Sequence, residues 1–345
     1  MSLPTDIDVK LVVGSFQVAR WNGYQIESDM ATPADAFSLM APNPGGYLSG
    51  KVHPEDAVRL LVDGELVCTG NLDEVRTDCD ERGPIMEMIG RDRGRFLVDC
   101  SAPPLSLHGQ TLKTLAEKLT GDWITKWEIE GAVKLQPVKR MKVDPGESPL
   151  DVLARFVDAA GCIIWLKEDG TGVIGRPNYK QPVDFELYRY LGSSPRRSKN
   201  NIVSGGLTDS SKDRFSELTV LASAAGSKTI YAAGASKLKT TARDSGITTH
   251  KPKVITGGAV NTAQAQARAG RLVDEGRFEG WQCNYIVKGH RNNDKLWRTN
   301  ALCRLIDEVS GIDGEVCLVR RRRFVAGDRG KVTEVTLHRA GVWLA

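Results

Sequence analysis

Apolar runs that meet at Asp-Gly turns are the feature that most constrains how this chain can fold. Asp63 and Gly64 separate two apolar runs, and Asp169 and Gly170 separate two more. Such a pair predicts a hairpin, because both residues tolerate the positive φ angles of a two-residue turn. From Trp281 to the end, β-type runs recur around further Gly-Asp and Asp-Gly turns. The pattern therefore predicts a mainly β protein.

Residues 8–100 read as short strands with turn signals between them. Besides the hairpin at Asp63, a second pair of strands is expected at 71–76 and 85–89, with the polar residues 77–83 connecting them. Together these strands predict a small antiparallel barrel or sandwich.

The period of the apolar residues changes in 101–185, where two helices are expected. One covers about 111–120. The other covers about 149–160, because Ser148 can cap its first turn and Gly161 can end it. With the hairpin that follows, this segment is predicted to be mixed α and β. The expected apolar faces consist of Leu112, Leu115, Ala116 and Leu119 in the first helix and of Leu150, Leu153, Ala154 and Val157 in the second.

The next part of the chain changes from strand to loop to helix. Residues 202–221 have the composition of strands, whereas 222–257 are rich in Ala, Ser, Thr, Lys and Gly and predict a long loop or a mobile insertion. The Ala-rich stretch from Asn261 to Phe278 predicts a helix with Asn261 as its cap. β-type runs then continue to the C-terminus.

Size and charge limit the classes of protein to consider. A chain of 345 residues exceeds one ordinary core, so two to four domains are expected. Hydrophobic residues make up 41% and charged residues 26%, as in globular proteins, and a net charge of +4 gives no overall attraction to nucleic acid or membrane.

We expect no membrane span and no export signal. Seven scattered cysteines predict reduced thiols.

Two glycine motifs resemble nucleotide-binding loops only in their spacing. Residues 45–51 (GGYLSGK) imitate a phosphate-binding loop, but Val52 stands where the magnesium-binding hydroxyl should be. Residues 170–175 (GTGVIG) imitate a dinucleotide fingerprint, but they are expected to be the return strand of a hairpin, and Pro177 prevents a helix after them. Neither motif predicts a nucleotide site.

The other catalytic candidates have simpler explanations. The five histidines are far apart and show no recognised metal-ligand spacing. Acidic residues at 73–74 and 78–81 are expected in solvated turns, and no Gly-x-Ser-x-Gly elbow is present. We therefore expect a chain that is not an enzyme, with no cofactor and no metal.

Four consecutive arginines, Arg320, Arg321, Arg322 and Arg323, are the sharpest charge feature. On a strand, successive arginines would lie on opposite faces, so the run is not a single-sided nucleic-acid patch. Three interpretations remain open: a solvated or edge strand whose charge prevents aggregation, a contact with a subunit, partner or channel, and direct nucleic-acid binding.

Several segments are similar to one family of phage proteins. Residues 90–102 (GRDRGRFLVDCSA) resemble the stretch that closes the first barrel of Mu-like phage baseplate hub proteins. Residues 201–204 (NIVS), 213–217 (DRFSE) and 296–300 (LWRTN) follow in the order of that family. The resemblance covers nearly the whole chain. The matched residues expected in the core are Phe96, Leu97, Phe215 and Trp297.

The resemblance implies a mainly β fold with α+β insertions. It implies two small antiparallel β-barrels of tail-tube type, one of them discontinuous, and mixed α/β domains between them. The expected boundaries are 1–100 for the N-terminal barrel, 101–185 for the mixed domain, 186–222 with 281–345 for the second barrel, and 223–280 for a loop and helix of the mixed part.

The resemblance also implies a structural function in a phage tail. A homotrimer would place six barrels in a ring that adapts the hexameric tail tube to the trimeric spike and lines the genome channel. Expected partners are the spike protein, the tube protein or a tube-terminal adaptor, and other baseplate proteins. DNA would be met only in transit, and no membrane is involved.

The expected location is the tail baseplate of a virion, built in the host cytoplasm. Three alternatives remain: the hub of a phage-derived contractile injection device, a tail-associated cell-wall hydrolase, and a nucleic-acid-binding protein centred on the arginine run.

Overall fold

The computed structural model describes residues 8–81, 83–131, 138–223, 237–256, 262–327 and 330–342, and the statements below concern these residues. They form a mainly β protein with smaller α/β parts, which confirms the predicted fold class. No helix in this part of the chain is both long and apolar enough to span a bilayer.

Alternating apolar residues form the first strands. In residues 57–62, Val58, Leu60 and Val62 are buried on one face, as expected for a strand with one side on a core. Asp63 and Gly64 then take φ angles of 50° and 80°, and the predicted hairpin is formed. The strands of this part are β1 (Val9–Val13), β2 (Phe16–Val18), β3 (Gly23–Asp29), β4 (Ala36–Pro42), β5 (Ala57–Val62), β6 (Glu65–Asp80) and β7 (Gly83–Asp92).

The second hairpin is longer than the sequence predicted. β6 continues to Asp80 and pairs with β7 as far as Gly83, so residues 77–80 are strand and not a polar connection. The expectation was wrong because residues 76–79 are exposed on both faces of the hairpin, and no apolar alternation marks them.

The predicted helices near 111–120 and 149–160 are both present. Ser148 Oγ accepts from Asp151 N, and the Asp151 carboxylate accepts from Ser148 N, so a capping box starts the second helix. Its apolar face differs in part from the expectation, because Val152 is buried and Ala154 only half-buried. The elements are α1 (Arg95–Asp99), β8 (Ser106–Gln110), α2 (Leu112–Thr120), β9 (Trp127–Glu130), β10 (Val138–Lys142), α3 (Pro149–Val157), β11 (Ile163–Leu166) and β12 (Gly172–Gly175).

The remaining strands belong to the C-terminal half and to a second α/β part. The same part of the chain contains one long helix, which extends two residues beyond the predicted end at Phe278. These elements are β13 (Val183–Arg189), β14 (Ile202–Asp209), β15 (Glu217–Ser223), β16 (Lys237–Arg243), β17 (Pro252–Thr256), α4 (Thr262–Gly280), β18 (Trp281–Lys288), β19 (Arg291–Asn292), β20 (Lys295–Leu296), β21 (Ala301–Asp307), β22 (Ile312–Gly327) and β23 (Gly330–Arg339).

The region 222–257 contains strands, so the expectation of a long loop was wrong. β16 pairs antiparallel with β15, β17 pairs parallel with it, and α4 packs on the buried face of this sheet. The sequence signal was weak because only one face of a narrow sheet is buried, and small residues such as Ala242 occupy it. Residues 224–236 and the expected cap Asn261 lie outside the described residues.

One sheet joins the two ends of the chain. Its strand order is β14-β18-β23-β22-β3-β4-β7-β6-β5-β1-β2; β21 also pairs with β22, and β13 pairs with β21. Residues 321–326 of β22 pair antiparallel with 24–29 of β3, and this pair connects the N-terminal and C-terminal halves. One apolar core cluster extends from Val9 to Leu337 beneath both. The two separate barrels stay a prediction.

Asparagine side chains link β13 to the start of β14. Asn201 Oδ1 accepts from Tyr188 N, and Asn201 Nδ2 donates to Glu186 O. Asn200 makes the same two bonds with the backbone of Tyr190. These amides satisfy backbone groups that a neighbouring strand would otherwise bind.

Close packing at Gly172 gives the first testable prediction. A Cβ atom there would lie 2.7 Å from Cε3 of the buried Trp127 ring. Gly172→Ala should therefore lower the free energy of unfolding by about 2 kcal/mol. Urea unfolding measures the change. Gly206→Ala is the matched control, because a Cβ at this strand glycine meets no atom within 4 Å. Equal losses in the two variants would contradict this packing.

Candidate functional site

The arginine run lies on β22 at the point where the neighbouring strand changes. Up to Val319 this edge of β22 pairs with β21, and from Arg321 it pairs with β3. Along its other edge β22 pairs with β23, with a bulge between Val319 and Arg321. The edge-strand interpretation of the run is therefore wrong, because β22 has a strand on both sides.

Arg322 points into the protein and is only 3% exposed. Its Nη1 donates to Ile26 O over 3.1 Å, and its guanidinium carbon lies 4.3 Å from the centroid of the Phe324 ring. Nε has no hydrogen-bond partner in the described part of the chain. Burial lowers the pKa of this guanidinium, because water is excluded from the charged form. Arg322 is thus a buried cation at the junction of the two halves.

Arg320 connects β22 to α4. Its Nη1 lies 2.7 Å from Glu279 Oε2 on the helix, and its Nε lies 3.3 Å from Asp29 Oδ1 on β3. Asp29 N in turn donates to Asp35 Oδ1. This arginine therefore holds the end of α4 against the junction of β22 and β3.

Arg321 and Arg323 point outward and pair across the neighbouring strands. Arg321 donates to both oxygens of Glu27 on β3, over 2.9 and 2.7 Å. Arg323 lies 3.2 Å from Glu334 on β23, and it also binds Gln25. Every arginine of the run except Arg322 thus has a carboxylate partner within the chain. The sequence does not identify these partners, because they lie on other elements that only the strand pairing brings next to the run.

Two partly or fully buried carboxyl groups lie beneath the run. Burial raises the pKa of Asp35 to about 7 and that of Asp92 well above its ordinary value. Asp92 N donates to Asp35 O, and Asp92 Oδ1 accepts from Gly94 N. The positive charge of Arg322 opposes the rise at Asp35. The junction therefore contains ionisable groups of both signs in a region with little water.

His290 connects β3 to β23 on the inner side of the junction. Its Nε2 lies 2.8 Å from Tyr24 Oη and its Nδ1 lies 3.1 Å from Thr333 Oγ1. Thr333 Oγ1 donates to Gly289 O, so it is free to accept from His290 Nδ1. These hydrogen bonds fit a neutral imidazole ring that carries its proton on Nδ1 and accepts at Nε2. No sequence signal marked this histidine.

The other sequence candidates do not form a site. Residues 45–51 begin within a short 3-10 turn (Pro44–Gly46) and bury Leu48, and residues 172–175 are the return strand β12. Asp73 lies on a strand and not in a solvated turn, and it pairs with Arg91 and Arg95. No three His, Cys, Asp or Glu side chains of the described ranges come together as metal ligands.

Of the four expected core residues, two are fully buried. Leu97 and Trp297 are in the core as predicted. Phe96 and Phe215 are half-buried: Phe96 stacks on Trp123, and Phe215 lies below two lysines. The expectation was therefore right for the aliphatic residue and the tryptophan, and too strong for the phenylalanines.

Comparison with known families assigns the chain segment by segment. Residues 8–92 match the model of the Mu phage baseplate assembly protein GpP-like N-terminal domain, and 95–176 match the baseplate hub protein gp44-like second domain. Residues 214–273 match the tail protein NMB1110-like third domain, and 261–344 match the fourth domain of the Mu phage baseplate assembly protein GpP. The chain belongs to the Mu-like phage baseplate hub family.

Individual relatives of this hub are similar over nearly their whole length. It is 26% identical to baseplate hub protein gp44 of Escherichia phage Mu, over 92% of this chain and 84% of that protein. The tail protein from Neisseria meningitidis MC58 has a TM-score of 0.83 at 29% identity, covering 98% of each chain. The 43 kDa tail protein of prophage MuSo2 from Shewanella oneidensis has a TM-score of 0.80 at 25% identity, covering 97% of this hub and 98% of that chain.

Buried His290 should make the stability of the hub depend on pH. Its pKa is lowered from 6.5 to about 4, because burial penalises the imidazolium. The contribution of the neutral ring is fully present above pH 6.5 and is lost as the pH falls towards 4, by up to about 3 kcal/mol.

The measurement is the midpoint of thermal unfolding between pH 7 and pH 4.5. His290→Gln should show a smaller decrease over this range than the unmodified hub. His53→Gln replaces an exposed histidine and should leave the decrease unchanged. An unaltered decrease in His290→Gln would contradict the assignment.

Proposed function

We propose that three copies of this hub form a ring at the centre of a phage baseplate. The ring would adapt a hexameric tail tube to a trimeric spike and line the channel through which the genome leaves. The observation that carries the proposal is the assignment of nearly the whole chain, in order, to domains of phage baseplate proteins.

The proposed ring divides each chain as the sequence predicted. Residues 1–100 and 186–222 with 281–345 would form two barrels, and 101–185 with 223–280 would form the parts attached to them. The hydrogen bonds of Asn200 and Asn201 between β13 and β14 favour closure of the second barrel. Two barrels per chain and three chains would give the six units that a hexameric tube needs.

A free strand edge supports association between copies. Among the described strands, β2 pairs only with β1, so this end of the large sheet has an unpaired edge. Such an edge is available for pairing with a neighbour, and closed rings form when the contacts repeat by rotation. Association would also protect this edge from non-specific pairing.

Two exposed apolar side chains lie close together beside the end of β13. Leu191 is 50% and Val309 is 61% exposed, and Leu191 N donates to Oε2 of Glu308, the residue before Val309. Neighbouring exposed apolar groups are typical of protein interfaces. We place part of the contact between subunits here.

The partners follow from the position in the tail. The spike protein would bind one side of the ring, and the tube protein or a tube-terminal adaptor would bind the other, with further baseplate proteins around it. The hub would act in the virion after assembly in the host cytoplasm, would meet DNA only in transit and would catalyse no reaction. Arg320, Arg321 and Arg323 remain the proposed partner or channel segment, whereas Arg322 is buried and cannot take part.

The mass of the hub in solution tests the ring. Light scattering across a concentration series should give the mass of three chains, because three copies close the proposed ring. Addition of the spike protein should raise this mass further. A monomer that ignores both the spike and the tube proteins would contradict the proposal.

Substitution of the exposed patch tests the subunit contact. Val309→Asp should weaken association at least tenfold, because a charge would be buried in the interface. Sedimentation at several concentrations measures the effect. Val254→Asp is the matched control, since Val254 is also exposed, at 60%, but lies on the separate sheet of β15 to β17. Equal weakening by both variants would exclude this contact.

A further inference from the structure

The outward side of the joined sheet is a polar surface that crosses both halves of the hub. We call it the outer face and define it by the side chains of Glu334, Arg321, Arg323, Glu27, Glu87 and Arg76. They lie on β23, β22, β3, β7 and β6, on the side opposite the core. In register, Arg323 stands between Glu334 and Glu27, and Glu87 stands opposite Arg76.

The charges of the outer face cancel within the sheet. Arg321 lies 2.7 Å from Glu27, and Arg323 lies 3.2 Å from Glu334 and 3.9 Å from Glu27. Arg76 lies 2.7 Å from Glu74 and 3.6 Å from Glu87. Because these pairs link neighbouring positions of the sheet, the arginine side chains lie along the surface and not out from it.

Apolar side chains on the outer face, such as Met40, Ile89 and Val325, are only partly exposed. The most exposed large hydrophobic residues of the described ranges lie outside β3, β4, β6, β7, β22 and β23. Stable protein interfaces depend on buried aromatic and apolar anchors, with Arg enriched where it is free to pair across the contact. A surface of internally paired charges suits a partner that must pass and not bind.

We propose that the outer face is the part of the hub that meets DNA in transit, with Glu27 and Glu334 as built-in counter-ions. They would keep Arg321 and Arg323 from holding the phosphates. The inference rests on the proposed function, because it requires a channel. An unpaired arginine gains affinity for DNA by releasing counter-ions from the phosphates, and this would retard the genome. The paired arginines can hold β3 and β23 together without that effect.

Two matched double variants separate charge from structure. Glu27→Gln with Glu334→Gln frees the two arginines, whereas Arg321→Gln with Arg323→Gln removes them and leaves the carboxylates. Both break the same ion pairs, so structural damage alone would affect both. The purified hub is first tested for retention on duplex DNA at low and high salt. The carboxylate variant should be retained several-fold more than the unmodified hub at low salt only, and the arginine variant should not.

Phage particles assembled with each double variant then test whether the outer face lines the channel, through the rate at which they release DNA. The rate of DNA release should fall at least about threefold in the carboxylate variant at low salt and recover at high salt. It should stay unchanged in the arginine variant.

Equal slowing in both variants, or normal release from intact particles with freed arginines, would overturn the proposal. So would loss of assembly in both variants, because it would place the outer face in a protein contact. The ring itself is judged separately, from the mass of the unmodified hub.

Discussion

The pairing of β22 with β3 is the interaction on which the rest of the architecture depends. It brings residues 24–29 against 321–326 and turns two halves at opposite ends of the chain into one sheet. Closing so long a loop is unfavourable in entropy, although the penalty grows only slowly with length. Burial of Ile26 and Phe324, which face each other across the pair, offsets it. The connection thus depends on apolar burial, and the arginines are placed around it.

The arginine run has different roles on the two faces of one strand. Arg322 is buried, and its Nε has no hydrogen-bond partner among the residues that the structure describes. Such a charge is unfavourable unless its surroundings compensate. Arg321 and Arg323 form partly exposed pairs, which contribute little to stability but favour the register in which Glu27 and Glu334 stand opposite them. The common core decides which strands pair and provides most of the free energy, and the ion pairs add a small preference for that register.

Local chemistry explains which sequence predictions were confirmed. The Asp63–Gly64 turn and the Ser148 cap are decided by the residues themselves. Tolerance of a positive φ angle and possession of a capping oxygen depend on the type of a single residue and not on the rest of the fold. The predictions for 77–80 and for 222–257 were wrong where strands lack a buried alternating face. There the hydrogen bonds of a partner strand, and not the local pattern, keep the chain extended. The family was recognised from motifs spread over the whole chain, and the family comparisons agree.

The sequence by itself determined the mainly β class, the turns, the helix starts and the membership in a family of phage baseplate hubs. Tertiary structure alone decided the surroundings of the arginines, and it overturned the edge-strand interpretation. The role of four adjacent cations depends on which side chains lie next to them. Their carboxylate partners Glu27, Glu279 and Glu334 lie on three other elements. Their pairing depends on the register of a long-range strand pair, and that register follows from packing of the common core.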